Sequence, residues 1–83
     1  DEKHLSGKYV NVLKEGFVSI DMAQNILVVK TVSGMAMAVA AAIDAMKYPE
    51  IVGTIAGDDT IMMAVRTVED TKSLMNQILQ LVH

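Results

Sequence analysis

The octet Gly53-Thr54-Ile55-Ala56-Gly57-Asp58-Asp59-Thr60 gathers the residues of this chain most able to do chemistry. Its two adjacent carboxylates, Asp58 and Asp59, follow a glycine and separate two apolar runs. An acidic hairpin turn is the plain reading, because Asp and Gly are standard turn residues. A hard cation wants more oxygen ligands than two aspartates supply, and no histidine lies near in sequence to complete a transition-metal site. Catalysis by paired carboxylates would need a further acid or base, and none lies close in sequence. Beside the plain turn, recognition of a cationic group stays open. A guanidinium presents a planar fork of donors that matches carboxylates bidentately.

Asp44 is the second unusual residue. It is the first charged side chain in the Met- and Ala-rich run that begins at Met35, and it falls near the C-terminal end of the helix that run predicts. An anion there opposes the helix dipole by roughly 0.3–1 kcal/mol. Either an ammonium group compensates it, or the helix frays and Asp44 is solvated.

The elements that must position these residues follow from composition and periodicity. Eighty-three residues allow one small domain. Such a chain buries only about 60–65% of the surface its unfolded form exposes. Yet 52% of the residues are apolar and the mean hydropathy is +0.36, more than a small monomer can hide. The longest uncharged run, Thr31 to Ile43, is interrupted by Ser33 and Gly34 and falls short of the ~20 residues a bilayer requires. The polar start Asp1-Glu2-Lys3-His4 lacks the apolar stretch of a signal peptide. Self-association is therefore expected in place of membrane insertion. Ten acidic against seven basic residues give a net charge of −3, and the lysines and Arg66 are scattered instead of forming a basic face for nucleic acid. With no cysteine, a disulfide framework and a thiolate zinc site are excluded, and a cytoplasmic location is expected. His4 and His83, at the two ends of the chain, read as solvated tail residues.

Residues 1–8 are charged, contain Ser6-Gly7 and show no hydrophobic period, so they read as a linker remnant before a domain over 9–83. Tyr9 to Leu13 suggests one short helical turn. Phe17 to Asp21 alternates as a strand, with Val18 and Ile20 on one face. Ala23-Gln24-Asn25 makes a hairpin loop in which Asn tolerates positive φ. Ile26 to Thr31 is nearly continuous in β-branched residues, as a strand buried on both faces would be. Ser33 is expected to cap a helix from Gly34 to about Met46 that lacks a polar face for nine residues and so is covered on every side. Pro49 stops it. Strands over Ile51–Ala56 and Thr60–Arg66 meet at the acidic turn. Thr67 caps a final helix, with Asp70 three residues on, and Thr71, Leu74, Met75, Ile78 and Val82 form its apolar stripe. The order ββαββα predicts an α+β two-layer sandwich, a four-stranded antiparallel sheet with two helices on one face. The other sheet face carries apolar residues from the second and fourth strands, which packing of three or more subunits would dry.

At the octet the chain resembles the C-terminal domain of the arginine repressor family. The likeness extends to Ile26-Leu-Val-Val-Lys-Thr31, Gly34, Asp44 and Glu50-Ile-Val-Gly53, and spans roughly Leu13 to Val82. It implies a ββαββα domain that trimerises through its sheets, with two trimers stacked as a homo-hexamer. L-arginine, the co-repressor, binds between the trimers. Operator DNA is bound only through a separate N-terminal winged-helix domain, which the resemblance places outside this chain. The implied function is arginine-responsive control of arginine biosynthesis and catabolism genes, with no enzymatic activity, no metal and no other cofactor. Carried onto this sequence, the resemblance makes Asp58 and Asp59 the guanidinium-binding carboxylates, at least one of them acting across the trimer–trimer interface. Thr54 and Ala56 line the pocket, Asp44 meets the α-ammonium, and Ala36 and Met37 lie near the α-carboxylate. The family usually carries Gln or His where this chain has Met37, and often proline where it has Ser33. Methionine cannot donate a strong hydrogen bond, so the carboxylate end of the ligand loses a donor here. Two other classes remain: an oligomerisation module whose arginine site has decayed, and a small enzyme of similar strand order such as a pterin-type dehydratase. The second would want clustered histidines, which this chain lacks.

Overall fold

The computed structural model describes the backbone of residues 2–83 and the side chains from residue 7 onward. Its elements run α1 (Glu2–Gly16), β1 (Phe17–Ala23), β2 (Ile26–Thr31), α2 (Ala36–Ala45), β3 (Ile51–Ala56), β4 (Thr60–Val65) and α3 (Val68–Val82). The strands form one antiparallel sheet in the order β1-β2-β4-β3. The α+β sandwich expected from the ββαββα pattern is therefore present, with one helix more.

Strict alternation on the two central strands creates the inner face. Leu27, Val29 and Thr31 of β2 and Ile61, Met63 and Val65 of β4 are buried, because side chains two apart share a face. Helix α3 lies over them. The Thr67 hydroxyl accepts a hydrogen bond from the Asp70 amide at 3.0 Å and so caps α3 as expected. Thr71, Leu74 and Ile78 then point inward at helical spacing. Leu74 and Ile78 are fully buried, each contributing about 1.5–3 kcal/mol.

Helix α1 is the extra helix. It spans 15 residues in place of the single turn expected over Tyr9–Leu13, and it runs through the segment read as a linker. It packs on α2 and α3, with Leu13 in the core. A Cβ on Gly16 would lie 2.5 Å from Val39 Cγ2, so only glycine lets α1 approach α2 this closely. Ser6 and Gly7 hide this helix from propensity arguments. The expectation for the His4 side chain lies outside the described residues.

Four local expectations are corrected. In the β1–β2 turn the positive φ belongs to Gln24 (57°), not Asn25. Asn25 instead ties the hairpin to β4, donating from Nδ2 to the Val65 carbonyl and accepting from the Val65 amide. A register shift between Phe17 and Ser19 turns Val18 outward, 57% exposed, away from Ile20. Helix α2 starts at Ala36, after Gly34 at φ 81°, and Ser33 does not cap it: the N-cap position is Met35, with no side-chain bond. Nor is α2 covered on every side. Ala36, Val39, Ala40, Ala42 and Ile43 are buried, but Met37 is 72% exposed and Ala38, Ala41 and Asp44 are open. A helix seated between one sheet face and α1 still leaves a side open to solvent.

The same holds for the strands. Val28, on the outer side of β2, is half-buried and Lys30 is exposed. On the outer face Ile55, Met62 and Val28 line up across β3, β4 and β2. Ile55 is 78% and Met62 51% exposed. Among the described residues no helix is long and apolar enough to cross a membrane.

Candidate ligand site

The acidic turn joins β3 to β4, and main-chain bonds fix it. The Gly57 amide donates to the Thr60 carbonyl at 2.9 Å. The carbonyls of both aspartates point into the domain: that of Asp59 accepts from the Thr31 amide at 2.8 Å, and that of Asp58 from the Ala36 amide at 3.1 Å. The turn is thus stitched to the end of β2 and to the first amide of α2, leaving both aspartate side chains exposed. The Asp58 carbonyl takes the place of the missing side-chain cap on α2, satisfying one of the orphan donors at a helix start. Asp59 is held a second time: its Oδ1 accepts from the Thr60 hydroxyl at 3.0 Å, and the Thr60 hydroxyl accepts from Lys30 Nζ at 3.1 Å.

Asp58, Asp59, Ala36 and Met37 therefore share one end of the layer between α2 and β3. Ala36 is buried and Met37 lies in the open beside it. Ala56, half-buried, closes β3 next to the turn.

Asp44 and Thr54 lie at the other end. Both line an open groove of about 320 Å³ between the end of α2 and β3, together with Ile43, Lys47, Tyr48 and Val52. That size sits at the small end of ligand pockets. The Thr54 Oγ1 and the Glu50 Oε1 are buried without a hydrogen-bond partner, a condition that costs about 1–3 kcal/mol per group. The groove wall is shaped by a tight exit from α2. The Lys47 amide donates to the Asp44 carbonyl at 3.1 Å, and Lys47 takes φ 56° before Pro49 ends the turn. Burial, with the negative charge of Glu50 adding to it, holds the Tyr48 hydroxyl above its ordinary pKa, and that hydroxyl donates to Met46 Sδ at 3.6 Å.

The residues singled out in the sequence thus fall into two clusters. Ala36 and Asp44 stand eight residues apart in α2, roughly 12 Å along its axis. Within one chain the acidic pair and the Asp44 groove do not merge into a single pocket. Lys30 and Thr60, the latter present only as the last residue of the octet, have no role in the sequence reading, nor do Lys47 and Tyr48. The signal for the first two was present, since Lys30 is the only charge in β2 and β2 must pair with β4, but it needed the register. Among the described residues no group of three or more His, Cys, Asp or Glu side chains could hold a metal ion. The arrangement offers exposed carboxylates on a rigid turn to a cation.

Comparison with known proteins bears on the cation. Residues 13–80 match the family described as arginine repressor, C-terminal domain. Over 82 residues the chain is 67% identical to an arginine repressor of Lachnospira eligens, covering 99% of this chain and 54% of that protein. It is 62% identical to an arginine repressor of Lachnoclostridium phytofermentans, again over 82 residues, 99% of this chain and 54% of that one. A third, from Ruminiclostridium cellulolyticum, is 49% identical over 76 residues, 92% of this chain and 51% of the relative. The chain spans about half the length of the curated relatives it matches.

Proposed function

The chain belongs to the arginine repressor family, matching its C-terminal domain, and from that premise we propose that it is the L-arginine-sensing, oligomer-forming part of a transcriptional regulator. The observation that carries this is the acidic turn, whose two carbonyls are tied inward while both carboxylates stand exposed. In an empty assembly those like charges repel. A guanidinium placed among them replaces repulsion with charge-assisted hydrogen bonds, each worth about 1.5–3 kcal/mol. Asp44, in its groove with Thr54, receives the α-ammonium, and Ala36, Met37 and Ala56 border the ligand.

The separation of the two clusters argues for a shared site. A single arginine engages both kinds of carboxylate when the acidic turn of one subunit faces the groove of another. Ligand binding and assembly are then one event: trimers form through the outer sheet face, and arginine joins two trimers into a hexamer. Operator DNA is bound by the part of the regulator that corresponds to the uncovered half of the relatives. This domain has a net charge of −3 and lacks the phosphate attraction that dominates DNA affinity. Its role is regulatory, in the cytoplasm, with L-arginine as the only small-molecule partner.

Calorimetry with L-arginine and with citrulline, its uncharged isostere, tests the site, and sedimentation tests the assembly. Arginine should bind, shift trimer toward hexamer and stabilise the protein by about 2.7 kcal/mol per site at a hundredfold excess over its Kd. Equal binding of citrulline would rule out a carboxylate–guanidinium site, and a stable monomer at micromolar concentration would rule out the assembly.

A further inference from the structure

We infer that Lys30 and Thr60 are positioning residues for the carboxylate of Asp59, acting through two hydrogen bonds in series. The inference rests on the functional reading above for the identity of the ligand, but not for the relay itself. Lys30 and Thr60 are direct cross-strand partners in the β2–β4 ladder, where side chains on one face stand about 4.5–5.5 Å apart at Cβ. Lys30 Nζ donates to Thr60 Oγ1 at 3.1 Å, and Thr60 Oγ1 donates to Asp59 Oδ1 at 3.0 Å.

The chemistry of the donors sets the direction of this chain. An ammonium group has only donors, so the threonine oxygen must accept from it. The single hydroxyl proton is then free to point at the carboxylate, which when ionised can only accept. A cation donating into the hydroxyl also polarises it and strengthens the second bond.

The two aspartates are consequently held in different ways. Asp58 is tied through its carbonyl to Ala36, whereas Asp59 is tied through its carbonyl to Thr31 and through its carboxylate to Thr60. The relay engages Oδ1 and restrains the Asp59 carboxylate, leaving Oδ2 open to an incoming donor. A carboxylate already fixed loses less side-chain freedom when the ligand arrives. Lys30 and Thr60 project from the outer sheet side, beyond Val28 and Met62 on the same strands. The relay therefore ties the rim of the apolar outer face to the ligand-binding turn.

Isosteric and conservative variants separate this role from strand packing. Thr60→Val keeps the shape and removes the hydroxyl, Thr60→Ser keeps the hydroxyl, and Lys30→Met removes only the cation. In titrations of the purified protein with L-arginine, Thr60→Val should bind about three- to tenfold more weakly. Thr60→Ser should bind as the parent does, Lys30→Met should fall between, and all should melt as the parent does. In ligand-free crystals of Thr60→Val the Asp59 carboxylate should leave the orientation it holds beside the β4 start. Parent-like arginine affinity in Thr60→Val, or a Thr60→Ser as weak as Thr60→Val, overturns the relay. If the parent itself takes up no arginine, the functional reading fails. The ligand-free crystals still decide the relay, which an unmoved Asp59 carboxylate would refute.

Discussion

The two faces of the sheet bury their apolar side chains by different means. On the inner face Leu27, Val29, Ile61 and Met63 are fully buried beneath helices of the same chain. On the outer face Met62 and Val28 alternate with them on the same strands, and Ile55 joins them from β3, yet Ile55 remains 78% exposed. The difference locates the surplus of apolar residues noted in the composition. One face is completed within the protomer, and the other carries an exposed apolar patch of the kind that marks an interaction surface. The acidic turn stands where the two meet. Its carbonyls reach β2 and α2 on the inner side, and its Asp59 carboxylate is reached from the outer side through Thr60.

Substitutions on the two faces should therefore fail differently. Ile61→Ala, on the inner face, should lower stability by about 2–5 kcal/mol through lost burial and a cavity, read as a fall in the urea midpoint. Comparable loss from Ile55→Ala would erase the distinction between the faces. Ile55→Glu, on the outer face, should leave the protomer folded by circular dichroism but release it from the trimer in sedimentation, since an unpaired charge resists burial. A trimer that survives would move the subunit interface elsewhere. At the turn, Asp59→Asn should weaken L-arginine binding tenfold or more, about 1.4 kcal/mol, while the ligand-free assembly is unchanged or slightly firmer. Parent-like binding by calorimetry would place the guanidinium away from the turn. The smallest effect belongs to Met37→Gln, which restores a donor beside Ala36 and should tighten arginine binding a few-fold, within the roughly 0.5–1.5 kcal/mol of one hydrogen bond. No change would make the methionine a neutral occupant.

What could be read from the sequence was whatever is decided locally. The Thr67 cap, the α3 stripe and the acidic turn each depend on residues a few positions apart, and each is present. Features decided by distant partners escaped. A nearby hydroxyl is the usual cap, so the sequence points to Ser33 at the start of α2. The bond is supplied by the Asp58 carbonyl, which only the folded sheet brings there. Residue-by-residue propensity gives α1 a single turn, because the close approach of Gly16 to Val39 that supports the helix is invisible to it. The candidate residues were found by type and by resemblance. Their division into two clusters needed the antiparallel course of α2 and β3, and the pairing of Lys30 with Thr60 needed the strand register.

The carbonyl bonds of the acidic turn also govern its kinetics. The amides of Thr31, Ala36 and Gly57 belong to a strand end, a helix start and a hairpin, yet all three are closed by the one turn. Opening that turn breaks all three bonds, so the three amides should exchange as one cooperative unit although they lie far apart in sequence. A ligand that grips only the two carboxylates should slow exchange at all three amides by the same factor. Exchange at the Ala36 amide should thereby report a ligand held by carboxylates that α2 does not carry.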